Sequence, residues 1–504
     1  MLQRLLAVLV ATAVAHALII DAGTGVGAQS PAAADVQVQF GDLLFAEGRY
    51  ADARDAYETA IGTPDPALAA RAGVGLVLAL LRMGDFPRAL DTASTLDRNH
   101  PGRAMIAAIR GDALWSMGRF EEAERSYDAA LAIDPLQPRA RHGRARSLGA
   151  RNQLDAGLTE AREALRLGPR EAEFHHTIAS IHERLRNFED SAAALGSYID
   201  LLPNRDRSEK AAWARAEIRF LQSFKGREPF EIEGATPQST WTIPIKIRGD
   251  KVMVSGKVNG GSQDFVLDTG AERTILSQDT ARRRGVLPIT AMQTAGVGDV
   301  GLRGLEVGRI DRLEIGDLKV RNVPCLIKNP PLGGLPSREP ESFSPLALGL
   351  SMRVDYQSRT LTMARSLAPH AYADELPLRM HRLALVRGTI NGSLPATFVV
   401  DTGGELISIS DATAGLIRPA TPFRRIPLRV YGTSGWDKDA FLMPDVDLEF
   451  SSIRFNRIPV VVLNLRAPSA LLGFQLGGIV GHRFLSKYRV TIDLERSVVG
   501  LEKT

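Results

Sequence analysis

Hydrophobic and polar positions fall into two regimes that meet near Thr240. From about Val36 to Asp206 the chain is rich in Ala, Leu, Arg and Glu, and a short phrase returns: GRYADA at Gly48, GDFPRA at Gly84, GRFEEA at Gly118, RNQLDA at Arg151 and RNFEDS at Arg186. The steps between the turn residues Gly48, Gly84, Gly118, Asn152 and Asn187 are 36, 34, 34 and 35 residues. A fixed period of this size predicts stacked helical hairpins, none of which buries its apolar face alone. Ser208 to Phe224 continues as helix and predicts a cap on the array. Gly226 to Thr240, with Pro229, Gly234 and Pro237, predicts a linker. Beyond it the pattern changes to alternation and short apolar runs divided by Gly, Asn and Pro. WTIPIKIRG, KVMVSGKV, QDFVLD, LEVGRIDRLEIG and VPCLIK are candidate strands, and Asn259-Gly260 is a favoured hairpin turn.

Within the third repeat, Gly111, Ala123, Tyr127, Ala130 and Pro135 follow the pattern of tetratricopeptide repeats, which the helical half resembles over about 170 residues. The small residues let antiparallel helices touch, and the proline stops the second helix. The resemblance implies a solenoid with a concave surface for a peptide or protein partner; a spacer without a ligand is the plainer alternative. His175, His176 and His182 do not have the spacing of a zinc helix, so no metal is expected there.

The strand half is itself duplicated. FVLDTGAERTILS, Phe265 to Ser277, is echoed by FVVDTGGELISIS, Phe398 to Ser410, and Asn391-Gly392 supplies a second hairpin turn. Downstream of Asp268, Leu346-Ala347-Leu348-Gly349 leads into MRVDYQSRTLTM; downstream of Asp401, Gly478-Ile479-Val480-Gly481 leads into YRVTIDLERSVVGL. Asp268 to Gly349 is 81 residues and Asp401 to Gly481 is 80, which predicts a repeated β unit.

An aspartate at the end of an apolar strand is costly to bury alone. Two facing each other cannot both ionise, so the pair holds one proton and its apparent pKa values split. The ionised member then takes a proton from a water while the protonated member donates to a scissile carbonyl, with no metal or covalent intermediate required. On these residues the β half, Pro244 to Glu502, resembles aspartic proteases of the retropepsin-like kind, with both lobes in one chain as in pepsin-like enzymes. The resemblance implies an all-β bilobal fold of two β-barrel lobes related by a pseudo-twofold axis. It implies Asp268 and Asp401 as the catalytic dyad, with no cofactor. Thr269, Gly270, Thr402 and Gly403 are the expected supports of the active-site loops. Ala347-Leu348-Gly349 and Ile479-Val480-Gly481 are the expected segments threading behind those loops.

The resemblance also implies Gly-rich flaps. Gly296, Val297 and Gly298 fall where the first belongs, and Gly432 and Trp436 in the counterpart stretch of the second lobe, Trp436 read chiefly as packing. Gly296-x-Gly298-x-x-Gly301 matches a dinucleotide fingerprint but lacks the strand–helix context one needs. Pepsin-like enzymes place Ser or Thr after Asp-Thr-Gly; here Ala271 and Gly404 stand there. Losing that donor predicts raised apparent pKa values and a working range nearer neutral than pepsin's.

Composition narrows the reading. At 504 residues the chain predicts several domains. The domains are drawn as a signal segment 1–28, repeats with a cap 36–224, a linker 225–240, lobe 1 at 241–367 and lobe 2 at 376–504. A formal charge of +4 without basic runs argues against nucleic acid. Cys325 is alone, so no intrachain disulfide forms, and it reads as a core residue. Arg4, the apolar Leu5 to Ile20 and Val26-Gly27-Ala28 predict export to the periplasm or beyond, with the segment either cleaved or kept as an anchor, and no other membrane span is expected. About ten residues, Leu367 to Leu376, join the lobes, which favours pairing within a monomer. The expected function is an exported aspartic endopeptidase acting on peptides or proteins, its repeats holding a substrate or partner. The alternative is a non-catalytic adaptor.

Overall fold

The computed structural model describes residues 30–298, 303–328, 341–418, 424–432 and 434–503; the expected signal segment and Gly301 lie outside them. By contact density the chain separates into two compact units. One holds the described residues up to Arg144 with Glu160–Phe174 and Asp200–Ser208; the other holds Ala145–Thr159, His175–Ile199 and the remainder from Glu209.

Eleven helices run in order through the described residues of the helical half: α1 (Pro31–Ala46), α2 (Tyr50–Ala60), α3 (Pro66–Met83), α4 (Phe86–Asn99), α5 (Ala104–Ser116), α6 (Phe120–Ile133), α7 (Pro138–Ala150), α8 (Leu154–Leu167), α9 (Ala172–Arg184), α10 (Phe188–Leu201) and α11 (Glu209–Gln222). Their turns fall at the recurring phrases. The reason for small residues at fixed places is visible at the buried tyrosines. A β-carbon on Gly41 or Gly75 would lie 2.7 or 2.4 Å from the Tyr57 ring, and one on Gly111 or Gly143 would lie 2.4 or 2.3 Å from Tyr127. Each tyrosine therefore fills a slot between neighbouring repeats. Its hydroxyl is satisfied by a carboxylate, Tyr57 donating to Asp42 at 2.7 Å and Tyr127 to Asp112 at 2.9 Å. Arg71 and Arg139 then neutralise those carboxylates from the following repeat. The helix Pro66–Met83 is, among the described residues, long and apolar enough by composition to cross a membrane, a segment the sequence reading did not single out. Half of it is buried in the repeat core.

The strand half begins earlier than the linker reading places it. Glu231–Ile232 forms β1, paired with a lobe 1 strand, because Arg321 and Arg312 hold the adjacent Glu233. Lobe 1 continues with β2 (Thr240–Pro244), β3 (Lys246–Arg248), β4 (Lys251–Val258), β5 (Gly261–Leu267), β6 (Thr274–Ser277), a short helix α12 (Gln278–Arg283), β7 (Pro288–Thr294), β8 (Arg303–Ile315), β9 (Leu318–Lys328), β10 (Glu341–Phe343), β11 (Ser351–Asp355) and β12 (Thr360–Ala364). Lobe 2 has β13 (Asp374–Pro377), β14 (Arg379–His381), β15 (Leu383–Ile390), β16 (Leu394–Val400), β17 (Ile407–Ser410), α13 (Asp411–Leu416), β18 (Ile426–Pro427), β19 (Val430–Gly432) and β20 (Gly435–Asp437). It ends with β21 (Phe441–Phe450), β22 (Ile453–Leu463), α14 (Arg466–Leu472), β23 (Gly478–Val480), α15 (His482–Leu485), β24 (Tyr488–Asp493) and β25 (Val498–Lys503). WTIPIKIRG is two strands: β2, ending at Pro244, and β3 pair into different sheets, and a proline suits β2 because it lies at a sheet edge.

The duplication is borne out strand by strand. In lobe 1 the path β4-β5-β10-β6-β9-β8 closes on itself through β8–β4, and in lobe 2 β15-β16-β23-β17-β22-β21 closes through β21–β15. Each is a six-stranded barrel filled by apolar side chains. Phe265 and Phe398, at matching positions, are wholly buried, each worth about 1.5–3 kcal/mol relative to exposure. Cys325 packs in the lobe 1 core as expected. A second sheet of six strands, β13-β25-β24-β11-β12-β2, joins the lobes, with Arg353 opposite Thr491 where β11 meets β24.

Candidate active site

Each Asp-Thr-Gly turn is where a barrel strand stops. β5 carries Phe265, Val266 and Leu267 into the core and delivers Asp268; β16 carries Phe398, Val399 and Val400 and delivers Asp401. A parallel strand supports each turn from behind. The Asp268 amide donates to the Phe343 carbonyl at 2.9 Å, and the Asp401 amide to the Val480 carbonyl at 3.0 Å.

The lobe 2 thread, β23, is the segment expected from the sequence. The lobe 1 thread is not. It is β10, Glu341-Ser342-Phe343, whereas Leu346–Leu348 is a 3₁₀ turn closed by Gly349 at φ +68°. The apolar-apolar-Gly pattern there marks a left-handed turn end, and the near-equal spacings measured from it compare positions that do not correspond.

The two turns lock to each other with twofold symmetry. The Thr402 hydroxyl accepts from the Thr269 amide at 3.1 Å and donates to the Leu267 carbonyl at 2.7 Å. The Thr269 hydroxyl accepts from the Thr402 amide at 3.0 Å and donates to the Val400 carbonyl at 2.6 Å. Both threonines are essentially inaccessible to solvent, so each of these bonds is held against a desolvation cost of about 1–3 kcal/mol if broken. Gly270 and Gly403 face the opposite lobe: a β-carbon on either would sit 2.6 Å from the carboxyl carbon of Asp401 or Asp268 respectively. Their amides donate to the carboxylate of their own turn, Gly270 to Asp268 at 3.0 Å and Gly403 to Asp401 at 2.8 Å.

The carboxyls lie close enough across the turns for each to shift the ionisation of the other. Burial pushes both upward. Asp401 rises to about 7, from burial first and then from the charge of Asp268, opposed by the Gly404 and Gly403 amides and by Lys251. Asp268 is also raised by burial, but the Ser342 hydroxyl, the Lys328 ammonium and the Asp401 carboxyl pull it down. Ser342 thus supplies from β10 a hydroxyl that the sequence placed nowhere near the motif. Its counterpart on β23 is Ile479, which has none.

Ion pairs cross between the lobes beside the turns. Arg382 grips Glu272 through Nε and Nη2 at 2.9 and 2.7 Å. Lys251 donates to the Gly403 carbonyl at 2.7 Å and stands 3.7 Å from Glu405. Glu272 and Glu405 occupy the same place after their aspartates, an echo visible in the sequence.

The candidate flap residues meet across the lobes. The β7–β8 hairpin and the β19–β20 hairpin touch at their tips: the Gly296 amide donates to the Ser434 hydroxyl and the Ser434 amide to the Val297 carbonyl, both at 3.0 Å. Gly298 and Gly432 lie at this contact, where added β-carbons would fall 2.4 Å from Ser434 and 2.5 Å from Val297. Strand follows strand here, not the helix a dinucleotide site requires. Trp436 packs edge-on against Tyr431 at 5.5 Å and keeps 37% exposure. Ser434 was not singled out in the sequence. His176 stacks near Tyr198 and Trp213.

Comparison with known proteins agrees with this architecture. Residues 254–335 match the family described as "gag-polyprotein putative aspartyl protease", and 386–481 match the family described as aspartyl protease. Residues 38–104, 74–138 and 142–206 match a tetratricopeptide repeat family. Two Arabidopsis thaliana proteins, the TPR repeat-containing thioredoxin TTL4 and the inactive TPR repeat-containing thioredoxin TTL3, are each 33% identical over 81 residues, 16% of this chain. The chain spans about an eighth of the length of these curated relatives, 12%. Among solved structures, the thermophilic TPR protein TTC0263 of Thermus thermophilus is 18% identical, covering 37% of this chain and 98% of that one, with a TM-score of 0.31. The TPR protein YrrB, titled as having an unusual peptide-binding site, is 19% identical over 36% of this chain and 91% of its own, with a TM-score of 0.23. The chain thus joins tetratricopeptide repeats to two segments of the aspartyl protease families, built as retropepsin-like barrels.

Proposed function

We propose that this protein is an exported aspartic endopeptidase whose dyad is Asp268 and Asp401. The observation that carries the reading is the reciprocal threonine lock, which holds two half-buried carboxyls against each other across the pseudo-twofold axis. Asp268 loses its proton first, because Ser342 and Lys328 favour its charge, and that charge keeps the proton on Asp401. A water between them gives a proton to Asp268 as its oxygen bonds to the scissile carbonyl carbon, while Asp401 protonates the carbonyl oxygen. The tetrahedral diol collapses as a hydroxyl returns its proton to Asp401 and Asp268 delivers a proton to the leaving nitrogen. The C–N bond then breaks and both residues are restored.

Peptides or proteins are the substrates on this reading, and the hairpin tips bearing Gly296, Val297, Gly298, Gly432 and Trp436 are the flaps over them. The repeats bind a substrate or a protein partner. Export, to the periplasm or out of the cell, is supported by the apolar Leu5 to Ile20 and the small residues at Val26-Gly27-Ala28. Pairing of lobes within one chain is supported by the sheet that joins them.

The test is cleavage of an unfolded protein and a peptide library by residues 29–504 from pH 3 to 8, beside Asp268→Asn and Asp401→Asn. Loss of about 10²–10⁴ in kcat/KM is expected for either variant. Equal rates in all three proteins would remove the dyad, and absent cleavage with tight peptide binding would establish the adaptor instead.

A further inference from the structure

The two active-site loops are near copies, yet their surroundings differ. In lobe 2 the residue two after Gly404 is Leu406, which keeps 37% exposure. In lobe 1 the matching residue is Arg273, whose side chain keeps only 14% exposure. Its guanidinium donates to Glu217 of α11 at 2.9 Å and to Glu183 of α9 at 3.0 Å, and lies 4.8 Å over the Phe220 ring. Glu217 is itself almost wholly buried. Burial raises its carboxyl to about 7, against the pull of Arg273. Arg382, gripping the neighbouring Glu272, completes the set of charges at this point.

Two further arginines tie the same helical end to the lobes. Arg184 of α9 donates to the Met380 carbonyl at 3.2 Å, and Arg186 to the Leu348 carbonyl at 2.9 Å and the Phe230 carbonyl at 3.0 Å. Arg273 lies five positions after Asp268, and the Arg273 bonds fix the far end of that loop to α9 and α11. No equivalent bond from either helix is seen at the lobe 2 loop among the described residues. A charge that must stay paired when buried makes this a stiff connection, since breaking it strands Glu217 in a dry site.

We propose that Arg273 is a positioning residue through which α9 and α11 set the place of Asp268, so that lobe 1, unlike lobe 2, depends on the end of the repeat region for a working dyad. The repeats are then part of the enzyme's machinery, and a partner that shifts α9 or α11 alters Asp268 without touching it. This rests on Asp268 and Asp401 being the dyad.

The experiment uses the full mature chain with Arg273→Met, Glu217→Gln and, as the symmetric control, Leu406→Ala. Amide hydrogen exchange is read in peptides covering 268–277 and 401–410, and kcat, KM and the pH profile of cleavage are read beside it. Glu217→Gln is expected to speed exchange in 268–277 at least about threefold while 401–410 keeps its wild-type rate. Arg273→Met is expected to lower kcat about tenfold or more at little change in KM. It should also narrow the gap between the two limbs of the pH profile, which a merely destabilised enzyme would keep. Unchanged exchange and unchanged kcat in folded Glu217→Gln, or equal quickening of both segments, overturns the proposal. Should Arg273→Met fail to fold, Glu217→Gln decides alone. The exchange arm needs no catalysis, so a wild type that cleaves nothing would refute the dyad while leaving the coupling measurable.

Discussion

Gly270 and Asp401 stand so close across the lobe interface that a single methyl group on the glycine would press 2.6 Å from the carboxyl carbon. Gly270→Ala therefore has to displace the opposite carboxyl group. An expected loss of at least about a hundredfold in kcat/KM, with cooperative unfolding kept, follows from a shift of that size. Gly403→Ala, which presses on Asp268 in the same way, should match it. A Gly270→Ala enzyme with near wild-type kcat/KM would mean the two turns are further apart than described.

Thr402 makes its two bonds in a place water does not reach, and its methyl group alone cannot replace them. Thr402→Val is expected to destabilise the protein by about 2–4 kcal/mol, two unsatisfied backbone groups being left behind. Thr402→Ser should recover most of it. Denaturant melts measure both, and a double-mutant cycle with Thr269→Val should give a coupling energy above about 1 kcal/mol. Additive effects would sever the lock.

Burial and the charge of Asp268 push the Asp401 carboxyl up to about 7, above the ordinary range of an aspartate. A group raised on folding lends stability that is complete below its unfolded pKa and is lost as pH climbs through its folded one. The wild type should accordingly lose melting temperature between about pH 4 and 7. Asp401→Asn removes this titration, so its melting temperature should exceed that of the wild type at pH 8. Activity should decline on the alkaline side near the same pH, because Asp401 must hold the proton. An optimum below about pH 3 would contradict the assignment.

Ser342 lowers the Asp268 carboxyl by donating to it. Ser342→Ala is expected to move the acid limb of the kcat/KM profile upward by about one pH unit and leave the alkaline limb in place. Ser342→Thr should restore it. A profile that merely falls in height would assign the serine to packing.

How much of this was legible in the sequence depends on how far each feature reaches along the chain. The lobe 1 barrel strands β4, β5, β8 and β9, the two turns and the Asn-Gly hairpins are written in neighbouring residues and were readable. Asn259 and Asn391 both take left-handed backbone, at φ +47° and +48°. Ser342 was not readable, because Glu341-Ser342-Phe343 carries no motif and reaches Asp268 only through barrel closure. Gly349 misled for the converse reason: its local pattern fitted the expected thread, but the strand that threads lies just upstream. The ties of Arg273 to Glu183 and Glu217 join ordinary surface-type charges from separate helices, and nothing in their spacing announces a partner. Lys251 and Arg382 were missed in the same way, although the matched Glu272 and Glu405 offered a signal.

The sheet that joins the lobes has a consequence for how such a molecule changes over time. When two identical chains share one such site, every substitution arrives twice and the two halves stay alike. Here β11 and β24 belong to one polypeptide, so a change on one side leaves the other untouched. Ser342, where the other half has Ile479, and Arg273, where the other half has Leu406, are differences of the kind that one polypeptide permits. Covalent linkage permits one half to carry a serine behind its aspartate and an arginine bound to two helices, at places where its twin carries isoleucine and leucine.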